Sequence, residues 1–342
     1  KERRIFKLNT PDVGSFIHNV LDNFAKQLQE QGMHWRELDR QWIDAEISNI
    51  VDKELEKIPG NILRSTHRYQ YLSTRLKRIL SRTVWLIAEH FRRSKFEPLG
   101  YELSFGDNGD FPPITLELPD GEVIKLTGRI DRVDIMKDEE GTYFRIIDYK
   151  SGTKAFKLSD VYYGLQIQLM VYMDALWENG GNKMPDPILP GGILYFKVDD
   201  PIIKGTPNAT EEEIEKQIMK ELRLKGLLLA DVKLIRAMDE QIDGDSLIVP
   251  ARINKDDTLG RSSAATREQF EKMRRHVRHV LSQLGTEILK GNVSISPYKK
   301  KKFTSCAYCS YSSICKFDPT LPDNRYRVLM DMKDDEVWEK LT

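Results

Sequence analysis

Gly128-Arg129-Ile130-Asp131 and Ile147-Asp148-Tyr149-Lys150 are the two segments that decide the fold of this chain. Both have the composition of β-strands, and the polar connection between them ends in glycine, as a hairpin turn often does. Because side chains alternate between the two faces of a strand, Asp148 and Lys150 project to the same side, and Asp131 can lie beside Asp148. The sequence therefore predicts a hairpin that brings two carboxylates and one ammonium group into the same space.

The chemistry of this hairpin indicates a metal site. Two neighbouring carboxylates repel each other unless a cation lies between them. Oxygen ligands with open coordination positions suit Mg²⁺ or Mn²⁺, and such an ion can bind a phosphate oxygen and lower the pKa of an attacking water. Asp131, Asp148 and Lys150 thus match the residue set of a metal-dependent nuclease. The alternative is a surface hairpin whose Asp and Lys form a weak, exposed ion pair.

Two further segments contain candidate site residues. Residues 160–176 are predicted to form one helix after the second strand, in which Gln168 and Tyr172 lie one turn apart on the same face. These two side chains could instead simply pack against the core. Residues 14–18 open another helix with an apolar face, and His18 is either a nitrogen ligand or, like most lone helical histidines, a structural residue.

Together these segments resemble a known enzyme superfamily. The RecB-type branch of the PD-(D/E)xK nucleases has the motifs Gly-x-x-x-His, Gly-x-x-Asp, Asp-x-Lys and Gln-x-x-x-Tyr, and this chain contains all of them in that order. They run from Gly14 to His18, from Gly128 to Asp131, from Asp148 to Lys150 and from Gln168 to Tyr172. The strings GRIDRVDI, FRIIDYKSG, YYGLQIQLMVY, LKGLLLAD and ISPYK make nearly the whole chain similar to the C-terminal nuclease domains of the AddB family, subunits of bacterial AddAB helicase-nucleases.

The resemblance implies a fold and a set of site residues. The expected fold is α/β, with a restriction-endonuclease-like core in which helices flank a mixed central sheet. The expected metal ligands are His18, Asp131, Asp148 and the backbone carbonyl of Tyr149. The expected catalytic residues are Asp131, Asp148, Lys150, Gln168 and Tyr172. Among them, Lys150 would orient or activate the attacking water and stabilise developing charge.

By the same resemblance we expect a Mg²⁺-dependent deoxyribonuclease, an exonuclease that acts on DNA ends unwound during double-strand-break repair. Its partners would be DNA, as a single strand or an unwound duplex end, and an AddA-like helicase-nuclease subunit. The chain contains no Gly-x-x-x-x-Gly-Lys-Ser/Thr loop, so ATP-driven unwinding must come from elsewhere. The alternatives are a Cas4-like or other RecB-type exonuclease, and a catalytically silent scaffold that binds DNA ends.

Cys306, Cys309 and Cys315 are the only cysteines of the chain. An odd number of cysteines without a secretory signal favours an intracellular metal site over disulfides. Their spacing alone allows a zinc site completed by a histidine, or three unligated thiols. The family resemblance implies instead a [4Fe–4S] cluster held by these cysteines and by one upstream cysteine. The chain begins at Lys1 without that cysteine, so we expect a fragment that starts after the fourth ligand.

The chain carries 53 basic and 53 acidic side chains, but the basic ones are unevenly distributed. From Asn61 to Lys95 there are nine Lys or Arg and one acid, Glu89. On a helix, the arginines of this segment form a stripe beside an apolar one. We expect this basic stripe to contact DNA phosphates, although such faces often meet only solvent; its members are Arg64, Arg68, Arg75, Arg78 and Arg82. Without a membrane-spanning run or signal sequence, we expect a cytoplasmic protein with no membrane contact.

The chain is expected to divide into five parts. Residues 1–97 form a helical N-terminal part that includes the basic stripe, and residues 98–200 form the catalytic core. Residues 201–265 are interpreted as an insertion that contains a helix and a mobile hairpin. A long amphipathic helix and a basic segment occupy residues 266–302, and the iron–sulfur cysteine lobe and tail occupy residues 303–342.

Overall fold

The computed structural model describes residues 10–57, 67–152, 155–185, 187–203, 208–322 and 324–341. Its helices are α1 Thr10–Glu30, α2 Arg40–Glu56, α3 His67–Arg92, α4 Leu158–Tyr162, α5 Gln168–Asn179, α6 Glu211–Glu221, α7 Val232–Met238, α8 Arg267–Leu289, α9 Ser312–Cys315 and α10 Asp334–Lys340. Its strands are β1 Glu97–Phe105, β2 Ile114–Glu117, β3 Val123–Leu126, β4 Gly128–Asp138, β5 Gly141–Lys150, β6 Ile188–Lys197, β7 Lys225–Leu229, β8 Gly244–Asp245, β9 Arg252–Ile253, β10 Ala264–Ala265, β11 Tyr298–Lys300, β12 Phe303–Thr304 and β13 Arg327–Val328.

The N-terminal part is helical, as the sequence predicts. Gly32 follows the end of α1 and adopts φ +65°, a conformation that glycine accepts without steric cost. The apolar positions of α1 form its buried face: Phe16, Ile17, Val20, Leu21, Phe24 and Leu28.

A six-stranded sheet with the order β1-β4-β5-β6-β7-β10 forms the centre of the molecule. β4 pairs antiparallel with β1 and β5, and β6 pairs parallel with β5 and antiparallel with β7. β4 and β5 form the predicted hairpin. Its turn ends at Gly141, which has φ +142°, and a Cβ atom there would lie 2.2 Å from the carbonyl oxygen of Pro187. Only glycine is accommodated at this position.

Apolar side chains cover both faces of the sheet. On one face, Ile147 and Tyr149 of β5 pack with residues of α1, α2, α3, α6 and α7. On the other face, Phe144 and Ile146 pack with residues of α4, α5 and α8. Alternate residues of β5 therefore enter two different cores, as is typical of a strand buried on both faces. The mixed sheet flanked by helices confirms the expected α/β, restriction-endonuclease-like fold.

The single helix predicted over residues 160–176 is wrong, because a turn separates α4 from α5. The backbone carbonyl of Asp160 accepts hydrogen bonds from the N–H groups of both Leu165 and Gln166, and Gly164 adopts φ +74°. The side chain of Gln166 also donates a hydrogen bond to the Asp160 carboxylate. These local hydrogen bonds end the first helix before the second begins.

Residues 201–265 differ from the expected insertion, because β7 and β10 belong to the central sheet. The stretch 239–263, expected to be a mobile hairpin, is packed against the core through buried polar contacts. Asp239 is fully buried and accepts hydrogen bonds from Arg93 and Ser246. Other polar residues of the stretch are exposed, including Asn254, Lys255 and Asp256. The boundaries of the other expected parts stay a prediction.

The long amphipathic helix predicted after residue 265 is confirmed as α8. Thr266 caps it, since its hydroxyl accepts the N–H of Gln269 while the Gln269 side chain accepts the N–H of Thr266. Phe270, Met273 and Val277 form its buried face. In the part of the chain that the structure describes, no helix is both long and apolar enough to cross a bilayer.

Candidate active site

β4 and β5 place two carboxylates side by side. Arg132 pairs with Ile147 in the antiparallel register, which puts Asp131 opposite Asp148. Both carboxylates are buried: Asp131 is 7% exposed and Asp148 is 1% exposed. α1 brings His18 to the same place, with Nδ1 3.5 Å from Oδ1 of Asp131. The structure thus brings together three residues that were predicted from separate motifs.

Glu102, which the sequence analysis did not identify, belongs to the same group. The register between β1 and β4 puts Glu102 opposite Asp131, and its Oε1 lies 3.5 Å from Nδ1 of His18. Among the described residues, these three side chains form the one group of potential metal ligands whose ligand atoms all lie within 4.8 Å of one another. Glu102 has φ +49°, a conformation that costs energy for a non-glycine residue and is concentrated at functional sites.

Burial and like charge perturb the titration of this group. Burial, together with the nearby Asp148 carboxylate, raises the pKa of Asp131 to about 7. The hydrogen bond with Glu102 raises the pKa of His18 above its ordinary value, although burial acts in the opposite direction. A cation bound between these groups would offset the repulsion between the carboxylates and displace the protons.

Lys150 is held next to the carboxylates by several contacts. Its Nζ lies 2.5 Å from Oδ2 of Asp148 and donates a 2.9 Å hydrogen bond to Oε1 of Gln168. Nε2 of Gln168 in turn donates a 2.8 Å hydrogen bond to the hydroxyl of Tyr172. The predicted one-turn spacing of Gln168 and Tyr172 therefore aims the amide oxygen at the ammonium group. The ring of Tyr195, also not identified from the sequence, has its centroid 5.6 Å from Nζ.

The donor set of the group suits a hard divalent cation. Two carboxylates and one imidazole, from Glu102, Asp131 and His18, are ligands that Mg²⁺ or Mn²⁺ accepts. The N–H of Tyr149 donates a 2.7 Å hydrogen bond to Oδ2 of Asp131, which fixes the orientation of that carboxylate. That Asp148 and the carbonyl of Tyr149 act as further ligands stays a prediction.

A buried ionic network supports the hairpin from the opposite face of the sheet. Arg132 and Arg145 are fully buried, and both bind Asp134, at 2.7 and 2.8 Å. Their guanidinium groups lie over the rings of Phe91 and Phe96. The network joins β4 to β5 behind the site. Removing one of its members would leave an uncompensated buried charge, so the pairing of the two strands depends on the complete network.

The basic stripe on α3 is partly neutralised by the rest of the chain. Arg64 and the side chain of Arg68 are not among the residues that the structure describes. Arg78 and Arg82 both form ion pairs with Asp200, a residue distant in sequence that a local count of charges does not include. Arg75 is exposed. A role of the stripe in DNA binding stays a prediction.

The three cysteines lie in an exposed C-terminal lobe, and their thiols form no disulfide. Cys306 precedes Cys309 by one 3₁₀ turn, and Cys315 ends α9. Large apolar side chains in the lobe are exposed, including Tyr308 at 92% and Ile314 at 79%. None of the described residues 303–322 is buried. Residues 303–322 thus present three thiols and no apolar core of their own; that these cysteines hold an iron–sulfur cluster stays a prediction.

The chain is similar to known proteins over nearly its whole length. An ATP-dependent helicase/deoxyribonuclease subunit from Acetivibrio thermocellus is 59% identical over 339 residues, and its counterpart from Ruminiclostridium cellulolyticum is 55% identical over 339 residues; each match covers 99% of this chain. The corresponding protein of Clostridium novyi is 51% identical over 341 residues, or 100% of this chain. The chain spans about 30% of the length of these relatives.

The PD-(D/E)XK nuclease superfamily matches residues 1–316, a range that contains every residue of the candidate active site. The mixed sheet, with the opposed carboxylates and the lysine on one hairpin, agrees with this match. The chain therefore belongs to the PD-(D/E)XK nuclease superfamily.

Proposed function

We propose that this chain is the nuclease part of an AddAB-type helicase-nuclease and hydrolyses phosphodiester bonds of DNA with the help of a divalent metal ion. The observation that carries the proposal is the register of β4 and β5, which opposes Asp131 and Asp148, with the ammonium of Lys150 at the second carboxylate. The superfamily supplies the reaction class. The relatives are named as deoxyribonuclease subunits, which supports DNA as the substrate.

The residues divide into metal ligands and groups that act on the substrate. His18, Glu102 and Asp131 would hold the ion, and Asp148 of the neighbouring strand would be a further ligand. When bound, Mg²⁺ or Mn²⁺ supplies Lewis acidity towards a phosphate oxygen and lowers the pKa of a water. Asp131 gives up the proton that its raised pKa retains near neutral pH, so the ion and the proton compete for the same carboxylate.

Lys150 acts on the reacting groups. Its ammonium has three N–H donors, and the side-chain oxygens of Asp148 and Gln168 accept two of them. The remaining donor can orient the attacking water or stabilise the negative charge that develops on the phosphate. Tyr172 holds the Gln168 amide, and through it the ammonium, in this orientation.

The name of the relatives, helicase/deoxyribonuclease subunit, supports a setting within a larger complex, and this chain spans about 30% of their length. The chain works in the cytoplasm beside an AddA-like subunit and acts as an exonuclease on strands unwound at a double-strand break. Cys306, Cys309 and Cys315 supply three ligands of a [4Fe–4S] cluster, and a cysteine from upstream sequence supplies the fourth.

The test compares cleavage of linear and circular single-stranded DNA by the purified chain, with Mg²⁺ or with EDTA. We expect hydrolysis of the linear strand only in Mg²⁺, and no hydrolysis of the circle, because an exonuclease needs an end. Asp148→Asn should abolish cleavage. Asp138→Asn, at the turn of the same hairpin, is the matched control and should retain it. A chain that binds DNA but cleaves none with Mg²⁺ or Mn²⁺ would contradict the proposal and indicate a silent scaffold.

A further inference from the structure

A groove of about 830 Å³ lies at the end of the sheet where β5 and β6 finish and β7 begins. Its walls are formed by α6, by the first residues of β7 and by the segments that follow β5 and β6. Its basic lining residues are Lys220, Arg223 and Lys225, and Glu221 lies among them. Its apolar lining residues include Phe156, Ile202 and Ile203.

One row of the sheet connects this groove to the candidate active site. Asp148 on β5 pairs with Tyr195 on β6, and Tyr195 pairs with Lys225 on β7. Paired residues of neighbouring strands point to the same face, and the strands are about 4.8 Å apart, so the backbone of Lys225 lies roughly 10 Å from that of Asp148. The distance between the site and the groove is therefore one that a few nucleotides can span.

The three cations of the groove form no ion pair among the described residues. Within the described ranges, no carboxylate oxygen lies within 4.0 Å of a side-chain nitrogen of Lys220, Arg223 or Lys225. Arg223 donates a 3.2 Å hydrogen bond to the carbonyl of Ser246, which holds the guanidinium group at the groove. Three cations that form no ion pair with described residues, with the single carboxylate of Glu221 among them, give this concave surface a net positive charge, which favours a polyanionic ligand.

The apolar lining selects a single strand over a duplex. Phe156 is partly exposed and packs on the core that also contains residues of α5, while Ile202 is 97% exposed. Gly226, in the groove floor, has no space for a side chain, since a Cβ atom would lie 2.0 Å from the carbonyl oxygen of Ile193. Unpaired bases can stack on aromatic or apolar side chains, whereas the bases of a duplex cannot reach them.

We infer that this groove binds the single DNA strand that continues from the phosphate cleaved at Asp148. Lys220, Arg223 and Lys225 bind its phosphates, and Phe156 contacts one of its bases. The inference rests on the proposed nuclease function. It adds the path of the strand and the reason that a single strand, rather than a duplex, enters the site.

The test removes the three charges and measures binding of a short thymidine oligonucleotide by fluorescence anisotropy. All proteins carry Asp148→Asn, so that no cleavage occurs. We expect the triple variant K220Q/R223Q/K225Q to bind at least about tenfold more weakly, with a dependence of log affinity on log salt that is shallower by about two. The control K53Q/K255Q/K290Q removes the same charge from exposed lysines that form no ion pair with described residues, and it should bind normally. Phe156→Leu should weaken binding roughly tenfold without changing the salt slope.

Hydrolysis of bis(para-nitrophenyl) phosphate, tested in the same variants with Asp148 intact, separates the groove from the chemistry, because this small substrate does not extend into the groove. We expect the groove variant to hydrolyse it like the wild type while it loses activity on single-stranded DNA. Oligonucleotide binding with wild-type affinity and salt slope would overturn the inference. Failure of the wild type to cleave DNA at all would instead contradict the proposed function.

Discussion

Replacing Asp131 with asparagine should stabilise the metal-free protein at alkaline pH. Burial and the Asp148 carboxylate raise the pKa of Asp131 to about 7, whereas the unfolded chain ionises near 3.8. Between these pH values the folded protein retains a proton that the unfolded chain has lost, so the free energy of unfolding falls as the pH rises from about 4 to about 7. Asparagine cannot ionise, so the variant does not lose free energy of unfolding in this way as the pH rises.

The structure sets the size of the effect. At about 1.4 kcal/mol for each pKa unit, the raised pKa corresponds to a loss on the order of 4 kcal/mol above pH 7. The side-chain oxygen of asparagine can still accept the N–H of Tyr149, which lies 2.7 Å from Oδ2 of Asp131. Its amide group replaces a negative charge beside Glu102. The substitution therefore removes the free-energy cost of ionising a buried carboxyl at this position without breaking the hydrogen bond from the N–H of Tyr149.

Urea unfolding in EDTA at several pH values between 5 and 8 measures this effect. Asp131→Asn should be more stable than the wild type by up to about 4 kcal/mol at pH 8, and the difference should shrink as the pH falls towards 4. Mg²⁺ should stabilise the wild type and not the variant, because the ion is bound by the native state only. Asp120→Asn, in an exposed turn, is the control and should change nothing. A variant less stable than the wild type at pH 8, or a pH-independent difference, would refute the reasoning.

Three further predictions concern the metal group, the basic stripe and the cysteines. His18→Ala and Glu102→Gln should each raise the Mg²⁺ concentration needed for half-maximal cleavage, because each substitution removes or weakens one ligand of the ion; unchanged metal titrations would exclude both residues as ligands. Arg75→Gln should flatten the dependence of log DNA affinity on log salt by roughly one unit, and an unaltered slope would show that this face meets only solvent. In protein that includes the upstream sequence and is prepared anaerobically, Cys309→Ala should lose iron and unfold more readily; stoichiometric zinc without iron in the unmutated protein would overturn the cluster assignment.

The sequence was sufficient where fixed spacing determines geometry. The two-residue period of a strand places Asp148 and Lys150 on one face, and the 3.6-residue period of a helix lets Gln168 bond Tyr172. The glycine-terminated hairpin turn brings Asp131 opposite Asp148. These relations are local, so they could be predicted from spacing and from the family motifs alone.

The sequence was insufficient where distant segments set the geometry. Glu102 reaches the site because β1 pairs with β4 after a register shift between Pro98 and Gly100, and a shift of one residue reverses which side chains face the site. Asp200 neutralises two arginines of α3 from the far end of β6, so the expected free basic stripe is only partly free. Tyr195 contacts Lys150 only because β6 runs parallel to β5. No local pattern contains these pairings.

The most direct test of the account is the cleavage rate of Lys150→Ala at saturating Mg²⁺, measured together with its Mn²⁺ affinity. If Lys150 acts on the water or the phosphate and is not a ligand, the variant should bind Mn²⁺ like the wild type and lose cleavage by much more than tenfold. Lys137→Ala, on the same hairpin at its exposed far end, should cleave normally. Cleavage by Lys150→Ala within about tenfold of the wild type, a barrier change of only about 1.4 kcal/mol, would contradict the assignment of this hairpin as the active site.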